Sequence, residues 1–568
     1  IDEAHCLSQW SHNFRPSYLR LYKVLTTKLK VRCILALTAT ATESTCLNIA
    51  SRLGIEDVSQ GIIGRPRVPD NLVLSVSREE CRDEALVGLL KGGRLKNCDS
   101  IIVYCTRREE TERLATLIRI STQQGSIRNE DPEQKARKRC DAEAYHAGMT
   151  PYRRRSIQKR FMTGKLRIVV ATVAFGMGID KANIRAIIHY NMPKSFESYV
   201  QEAGRAGRDG LTSYCHLFLA SQGNDENELR RHIYANSTDR RVLRKLLGKL
   251  LQPLNRRLRD RGEKDVTTLP AMYEVAIPVD ATVEDLDLKE ENIETLLCYL
   301  EFHPKKVVEV LNKVYANCTI KCYGGPKQLR SIASNCAAAA AAMALKRGMQ
   351  EEDASSISFQ VVDVAAYMGW DSGLVKKELK RLEWDNSAGL RKTGVIVEFS
   401  ELAFHLMVVT NLTEEDQDDL LDYLHDRVKD QEKTELLRLR QVQTCFESVA
   451  YESYLDCINS ASLEKSQKLK EIIRDYFSEK LPMEDWGSKE KSLTEGQVSS
   501  LQQEIRALVS IHRDHKFNGR AVARIFHGIG SPCFPAEVWG RVRRFWRSHL
   551  DLDFNAILKV ANQELANL

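Results

Sequence analysis

The first residues able to do chemistry are two adjacent carboxylates, Asp2 and Glu3, in the string Asp2-Glu3-Ala4-His5. An enzyme that hydrolyses a nucleoside triphosphate needs such a pair, because one carboxylate holds Mg²⁺ and its neighbour orients and deprotonates the attacking water. The alternative is a solvated acidic strand end, which has the same composition. These four residues alone do not distinguish it from a catalytic pair. The run from Leu37 to Thr42 places small hydroxyl residues at the end of the next predicted strand and favours the chemical interpretation.

A second charged pair, Arg205 and Arg208, lies in the stretch 201–210 (QEAGRAGRDG), where glycines let the backbone approach a partner surface. An arginine that reaches a phosphate bound on another lobe stabilises transition-state charge and makes hydrolysis depend on lobe closure. The alternative interpretation is two solvated arginines in a Gly-rich turn.

The stretch 172–180 (TVAFGMGID) directly follows a predicted strand. Thr172 can donate to a nucleic-acid phosphate, the backbone at Gly178 can approach a phosphate, and Asp180 can hold a ribose hydroxyl. The composition of this stretch therefore favours contacts with nucleotide or nucleic acid.

Up to about residue 220, short β-branched runs alternate with amphipathic stretches, which is typical of a parallel sheet with crossover helices. The predicted strands are 32–37, 72–76, 100–105, 167–171, 185–190 and 213–219. The predicted helices are 16–29, 42–53, 107–119, 151–163 and 195–204. The fold class is therefore α/β, and the polar segment 121–143, which has neither period, is interpreted as a surface insertion.

Length and composition bound the class of protein. The 568 residues predict about three to five structural units, and no stretch approaches the ~18 consecutive apolar residues of a membrane span. A net charge of +7 over this length is too mild to diagnose a nucleic-acid binder, so any basic surface must be local. The 15 cysteines form no CxxC pair, which favours reduced thiols and predicts the nucleus, with the cytoplasm as a second location.

Four motifs together resemble the RecQ family of superfamily 2 DNA helicases. They are DEAH with the following loop CLSQWSHNFRP (2–16), AYHAGM (144–149), VATVAFGMGIDK (170–181) and QEAGRAGRDG (201–210). The resemblance covers residues 1 to about 220 and implies the C-terminal part of a first RecA-like lobe (1–65) and a complete second RecA-like lobe (66–225). DEAH-box RNA helicases share the first motif but are not expected to continue with this loop.

The resemblance implies a nucleotide site. Asp2 would bind Mg²⁺ with ATP, Glu3 would be the general base, and His5 and Gln201 would sense the nucleotide.

It also makes Arg205 and Arg208 arginine-finger candidates, of which Arg208 is slightly favoured. Gly178 and Asp180 are expected, from their residue types, to contact the bound nucleotide.

In this family the loop at 6–16 couples single-strand binding to hydrolysis. The residues implied to contact DNA are Trp10, Phe14, Arg15, Thr106, Arg107 and Thr172. Aromatic side chains such as Trp10 and Phe14 can stack on bases, and Arg15 can pair with phosphate or with an acidic neighbour. The alternative is that both aromatic residues belong partly to the core.

In the second half of the chain the alternation of strands and helices gives way to mainly helical patterns. A basic linker or a basic helix end is predicted over 226–268, a mainly α-helical region over 269–480, and a last helical unit over 497–568. The predicted helices in the middle region are 284–302, 305–316, 327–347, 361–368, 373–383, 413–445 and 462–480. Only 395–399 is a clear strand, and the order helix 361–368, helix 373–383, strand 395–399 is that of a winged-helix unit.

The stretches 291–301, 394–406 and 519–532 resemble the type-four branch of the RecQ family. Four arginines then surround Phe545 and Trp546. They are Arg541, Arg543, Arg544 and Arg547. Two interpretations are equally favoured: a DNA-binding surface with stacking support, or an aromatic anchor whose arginines are solvated.

Two departures from the family limit what carries over. No phosphate-binding GxxxxGK[ST] loop occurs in these residues, so we expect a fragment that starts inside the motor and is inactive by itself. Zinc is not expected either, because Pro270 and Tyr273 stand where the branch offers Cys and His, and Cys318, Cys322 and Cys336 have no obvious fourth ligand.

The resulting expectation is an ATP-dependent 3′ to 5′ DNA helicase that uses ATP and Mg²⁺ and acts in replication, repair and recombination. Its expected partners are single-stranded and forked DNA and replication and repair proteins, with no membrane. The competing hypothesis is an ATP-independent DNA-binding, strand-annealing or scaffold fragment.

Overall fold

The structure, a computed structural model, describes residues 1–8, 18, 21–22, 24–55, 61–64, 67–92, 94–96, 98–123, 142–176, 179–221, 224–261, 271–346, 354–385, 391–459, 463–481 and 493–568. The chain divides into two compact units, each built from two stretches of sequence. Unit 1 contains Ile1–Tyr234 and Gln431–Ser492, and unit 2 contains Ala235–Asp430 and Leu493–Leu568. The boundaries differ from the predicted ones because part of the 269–480 region belongs to unit 1.

Unit 1 is built on a six-stranded parallel sheet in the order β1-β6-β5-β2-β4-β3. Its strands are β1 (Leu72–Glu79), β2 (Ile101–Tyr104), β3 (Ala142–Tyr145), β4 (Ile168–Ala171), β5 (Ala186–His189) and β6 (Ser213–Ala220). Strands β2, β4 and β5 are fully buried along their length. Continuous apolar, β-branched strands of this kind are typical of a parallel sheet covered on both faces.

The helices of this part are α1 (Glu43–Arg52), α2 (Arg82–Lys91), α3 (Arg108–Gln123), α4 (Pro151–Met162), α5 (Phe196–Ala203) and α6 (Asn224–Tyr234). Four of the five predicted helices are confirmed as α1, α3, α4 and α5. In 16–29 the structure has a π-helix at Val24–Lys28, with parts of the range outside the described residues. The sequence did not predict β3 or α2, and most of the predicted insertion 121–143 lies outside the described residues.

The predicted strand 32–37 is wrong as a strand, although the segment is extended. Its backbone bonds to the first residues of the chain: Leu37 N donates to Ile1 O at 2.8 Å, and Ala4 N donates to Leu37 O at 2.8 Å. This pairing is too short to be a ladder, but it places the end of the segment beside Ala4, where a 3₁₀-helix begins (Ala4–Leu7).

Unit 1 is completed by residues that return from far along the chain. They lie in the second half of α14 (Glu414–Glu447) and in α15 (Tyr454–Asn459) and α16 (Glu464–Phe477). They cover the edge of the sheet, because Tyr451 N donates to Val76 O at 2.8 Å and Leu74 N donates to Ser466 Oγ at 2.9 Å. An edge strand covered in this way offers no free ladder to another chain.

Unit 2 contains a five-stranded antiparallel sheet in the order β10-β9-β13-β7, with β8 also paired to β13. Its strands are β7 (Met272–Pro278), β8 (Val308–Val310), β9 (Val314–Cys322), β10 (Ser356–Gln360) and β13 (Val395–Val409), and a separate two-stranded sheet pairs β11 (Trp384–Asp385) with β12 (Arg391–Lys392). The predicted helix 305–316 is wrong, since β8 and the start of β9 occupy it. Its valines also fit a helical period, but pairing with the long strand β13 decides for strands.

The helices of unit 2 are α7 (Arg240–Arg261), α8 (Val279–Leu286), α9 (Glu290–Glu301), α10 (Gly325–Asn335), α11 (Ala337–Leu345), α12 (Val361–Met368), α13 (Ser372–Arg381), the first part of α14, α17 (Glu495–Ile511), α18 (Gly519–Phe526), α19 (Ala536–Trp539) and α20 (Phe554–Asn567). The predicted order helix, helix, strand is present as α12, α13 and the start of β13. Of the two alternatives for the basic segment 226–268, the helical one is found, since α6 and α7 occupy most of it, and 262–268 lies outside the described residues. Among the helices that the structure describes, none is long and apolar enough to cross a membrane.

Candidate functional site

The two carboxylates lie at the start of the short helix Ala4–Leu7. Glu3 has a left-handed backbone, with φ of 50°, and its N–H donates to Asp2 Oδ1 at 2.9 Å. Such conformations are uncommon for residues other than glycine and occur often at functional sites. Asp2 is exposed, so its carboxylate can hold a hydrated Mg²⁺, which binds proteins through one or two carboxylates and keeps several waters.

His5 links the carboxylates to the hydroxyl-rich run. It is 2% exposed, and its Nδ1 lies 3.3 Å from Glu3 Oε2 and 3.1 Å from Thr38 Oγ1. The two segments that the sequence analysis singled out are therefore adjacent. His5 holds the Glu3 side chain from one side and leaves it 42% exposed.

Gln201 approaches Glu3 from the part of unit 1 that carries the six-stranded sheet. It lies on α5, which begins at the N-cap Ser195, whose hydroxyl accepts from Ser198 N at 3.2 Å. Gln201 Nε2 donates to Glu3 Oε1 at 3.5 Å. Residues from the two motifs DEAH and QEAGRAGRDG thus meet at one carboxylate.

Arg205 is buried within its own lobe. Its guanidinium donates to Gly176 O, and a Cβ at position 176 would lie 2.4 Å from it. Tyr104, at the end of β2, donates to Phe175 O at 2.9 Å in the same place. Arg205 therefore ties the 172–180 stretch to α5, and it requires glycine at 176.

Arg208 is less buried, with 38% of its side chain exposed. Its Nη1 donates to Ile179 O at 3.1 Å and to Asp180 Oδ1 at 2.9 Å. Asp180 thus pairs with Arg208, and Gly178 lies outside the described residues. Of the two arginines, only Arg208 can change partner without leaving a buried pocket.

Sequence reasoning missed two supports of this site. Glu202 Oε2 lies 2.8 Å from His189 Nε2 in a buried pair next to Gln201, and Asn191 Oδ1 accepts from Thr106 N at 3.0 Å. Glu202 lies inside the QEAGRAGRDG motif, and this position could have marked it as a residue of the site. Nothing in the local pattern around His189 or Asn191 marks them.

The implied DNA contacts fall into two groups. Trp10, Phe14 and Arg15 lie outside the described residues. Thr172 directly follows β4, and Thr106 lies two residues after the end of β2. Both are at the carboxyl edge of the parallel sheet, where ligands of open α/β sheets bind.

A cavity of about 530 Å³ opens at this edge, beside Thr106 and Arg107. Its charged lining consists of Glu79, Glu80, Arg82, Arg107, Glu110, Asp225 and Glu228. Arg107 is paired with Glu228, and Arg82 with Asp225. Carboxylates outnumber cations here, so Arg107 has to exchange Glu228 for a phosphate before it can hold DNA.

The cysteines of unit 2 are core residues. Cys318, Cys322 and Cys336 are buried with the apolar side chains of β9, α10 and α11. Burial raises the pKa of Cys318 to about 12, which opposes the thiolate that zinc requires. Tyr273 is buried and donates to Leu250 O at 2.9 Å. In the part of the chain that the structure describes, no group of three or more His, Cys, Asp or Glu could hold a metal ion.

The aromatic and basic end of the chain is divided between core and surface. Phe545 is buried, Trp546 is partly buried, and Arg541, Arg543 and Arg544 are exposed. Phe545 thus anchors the segment, as one of the two interpretations expects, while the arginines stay available to solvent or a ligand.

Comparison with known proteins agrees with these motifs. Residues 81–210 match the family model "Helicase conserved C-terminal domain". The whole chain is 44% identical, over 605 residues, to ATP-dependent DNA helicase Q4 of Homo sapiens and covers 50% of that protein. It is 32% identical, over 575 residues, to ATP-dependent DNA helicase Q-like 5 of Arabidopsis thaliana and covers 56% of it.

The match to ATP-dependent DNA helicase RecQ of Bacillus subtilis is 40% identical but extends over only 39% of the chain and 34% of that protein. The chain spans about half the length of the Q4 and Q-like 5 relatives. Identity along the entire chain is thus shared with Q4 proteins, whereas the bacterial protein matches a part. The family match and the identity along the full chain support a RecQ-family helicase of the Q4 type.

Proposed function

We propose that this chain is part of the motor of an ATP-dependent DNA helicase that moves 3′ to 5′ on one strand. The observation that carries the proposal is the contact between Gln201 and Glu3, which brings the DEAH carboxylates and the helix of the second lobe to one place. The matched relatives are named ATP-dependent DNA helicases. The proposed direction of movement is the one that the resemblance to the RecQ family implies.

The residues fit the chemistry of hydrolysis. ATP with Mg²⁺ supplies the phosphoanhydride bond and the counter-charge. Asp2 offers an exposed carboxylate to the cation, and Glu3, oriented by His5 and Gln201, accepts the proton of the attacking water. Arg208, released from Asp180, brings positive charge to the transition state when the lobes close.

Movement on DNA follows from the position of the other motifs. Thr106, Arg107 and Thr172 lie at one edge of the sheet, where they hold phosphates of a single strand. Their lobe also carries Gln201 and Arg208, so closing and opening of the lobes moves the strand. We further propose that the protein acts in replication, repair and recombination, in the nucleus and in part the cytoplasm, with replication and repair proteins as partners.

The experiment that tests this function measures ATP hydrolysis with and without single-stranded DNA on two chains. One is the present 568 residues, and the other extends upstream through a phosphate-binding loop. We expect DNA-stimulated hydrolysis only in the extended chain, because the printed sequence contains no GxxxxGK[ST] loop. Stimulation by RNA in place of DNA would contradict the RecQ-type substrate.

A second function is favoured by the three exposed arginines Arg541, Arg543 and Arg544. They give the last unit a basic surface that can bind or anneal strands without ATP. No hydrolysis by either chain, with DNA binding retained in both, would support this alternative.

A further inference from the structure

The helix that carries Gln201 is packed on its other side by residues from far along the chain. Ring centroids of Phe196 and Phe446 lie 5.2 Å apart, those of Tyr199 and Phe446 5.1 Å, and those of Phe196 and Tyr476 5.1 Å. Offset and edge-on aromatic contacts of this kind are favourable beyond their buried area. The position of α5 therefore depends on α14 and α16 as well as on its own sheet.

A hydrogen bond between Tyr476 and Glu197 supplements this aromatic packing. Tyr476 Oη donates to Glu197 Oε1 at 2.9 Å, and Glu197 is only 4% exposed. The second oxygen of Glu197 has no hydrogen-bond partner among the residues described. A buried carboxylate with one donor depends strongly on that donor, so Tyr476 fixes the first turn of α5.

The same stretch reaches the first lobe two residues after α16 ends. Glu479 Oε1 accepts from Ser44 Oγ at 2.5 Å and from Ser44 N at 3.2 Å. Ser44 lies in the first turn of α1, where the helix dipole favours an anion. Glu479 N in turn donates to Tyr476 O at 3.0 Å, which ties the two contacts together.

Residues 476–479 thus touch α5 and α1, the two helices whose lobes meet at the Glu3–Gln201 contact. We propose that residues 439–459 and 463–479 form a brace behind the catalytic carboxylates, and that Tyr476 and Glu479 are positioning residues. The brace sets the distance between Gln201 and Glu3 and the angle from which Arg208 approaches. This inference rests on the proposed function, in which that geometry controls hydrolysis.

The first test does not need activity. In the present 568-residue chain, hydrogen–deuterium exchange is measured for Glu479→Ala and for the control Glu471→Ala, an exposed acid of α16. We expect exchange of the α1 first-turn amides to rise roughly fivefold in Glu479→Ala, since a charged hydrogen-bond acceptor is lost, and to stay unchanged in the control. Equal exchange in the two variants overturns the brace.

The second test uses the chain extended upstream through a phosphate-binding loop. A double-mutant cycle of Ser44→Ala and Glu479→Ala, with Tyr476→Phe alongside, is read as kcat and KM for ATP and as melting temperature. We expect kcat to fall roughly three- to tenfold in Glu479→Ala with KM unchanged, and the effects of Ser44→Ala and Glu479→Ala to be non-additive. A lower melting temperature with unchanged kcat would make these residues structural only and overturn the proposal.

The two tests separate the two claims. If the unmodified extended chain shows no hydrolysis, the proposed function fails, while the exchange experiment still supports or overturns the contact of Glu479 with α1.

Discussion

Two arginine pairs in this chain look alike in sequence and differ in structure. Arg205 and Arg208 follow α5 in a Gly-rich stretch. Arg520 and Arg524 lie on α18, which ends at Phe526 and is followed by His527 and Gly528. In the first pair Arg208 keeps 38% of its side chain exposed. In the second pair, the two residues are 1% and 3% exposed.

The partners explain the difference. Arg208 bonds to one carbonyl and to the exposed carboxylate of Asp180, both of which it can leave at little cost. Arg524 donates to Asp287 O at 3.2 Å, Ala235 O at 2.9 Å and Ser237 O at 3.1 Å, and Arg520 donates to Leu286 O at 2.6 Å. Burial, with the neighbouring charge of Arg520, lowers the pKa of Arg524.

Arginine near glycine therefore does not by itself indicate a role in phosphate chemistry. The buried pair joins the chain segments 235–237 and 286–287 to α18 and has no route to a ligand. The half-exposed arginine keeps both its charge and its freedom to move. Substitution of Arg208 should therefore lower activity with little change in stability, and substitution in the buried pair should lower stability with little change in activity.

The largest effect is expected for Arg208→Ala in the extended chain. DNA-stimulated kcat should fall by about 10³-fold or more, because a mobile arginine that reaches the transition state is worth this much in related chemistry. ATP binding and melting temperature should change little. Kinetics and nucleotide titration check this, and a melting temperature lowered together with the rate would make Arg208 resemble the buried pair.

Glu3→Gln should come next. We expect hydrolysis to fall by about 10²- to 10⁴-fold, the usual contribution of a general base, while nucleotide and DNA binding persist. The measurement is single-turnover hydrolysis together with binding of both ligands. Normal turnover would show that the proton of the attacking water goes to another group than Glu3.

Arg524→Met should have the opposite profile. The free energy of unfolding is expected to fall by about 3–5 kcal/mol, because Asp287 and several carbonyl groups lose a buried partner. The kcat of the folded fraction should be unchanged. Urea denaturation measures the loss, with the exposed Arg513→Met as control, which should change the free energy of unfolding by less than ~0.5 kcal/mol.

The smallest expected effect is a pH dependence of stability that arises from His216, a buried base in unit 1. Burial, with the nearby His189, lowers the pKa of His216 from 6.5 to about 3. Below pH 6.5, the pKa of His216 in the unfolded chain, the unfolded chain binds a proton at His216 and the folded chain does not. The folded state therefore loses stability as the pH falls. Between pH 7.5 and 5.5 this removes about 1.4 kcal/mol of unfolding free energy.

The control for this prediction is His216→Gln, measured by urea denaturation at both pH values. The variant should lack this part of the pH dependence, whatever its stability at pH 7.5. An identical slope in the variant and the unmodified chain would show that other groups carry it.

Much of unit 1 could be predicted because its signals are local. Four-residue apolar strands such as β2 and β4 are buried on both faces, and Thr150 with Pro151 marks the start of α4 through a cap and a fixed φ. In unit 2 the signals conflict. The valines of 305–316 suit a helix or a strand, and the choice is made by β13, more than 80 residues later, whose backbone pairs with β8 and β9.

The motifs were enough to predict a RecQ-type helicase, the α/β class of the first part and the chemistry expected of Glu3, Gln201 and Arg208, because they combine specific residue types with local strand and helix ends. The folded structure was needed to show which arginines are buried, that Glu3 and Gln201 touch, and that Tyr476 and Glu479 lie behind them. Burial and long-range contacts depend on where distant segments pack, and no local period or motif encodes that position. The brace formed by 439–459 and 463–479 is the clearest case, since these residues carry no pattern except that of amphipathic helices.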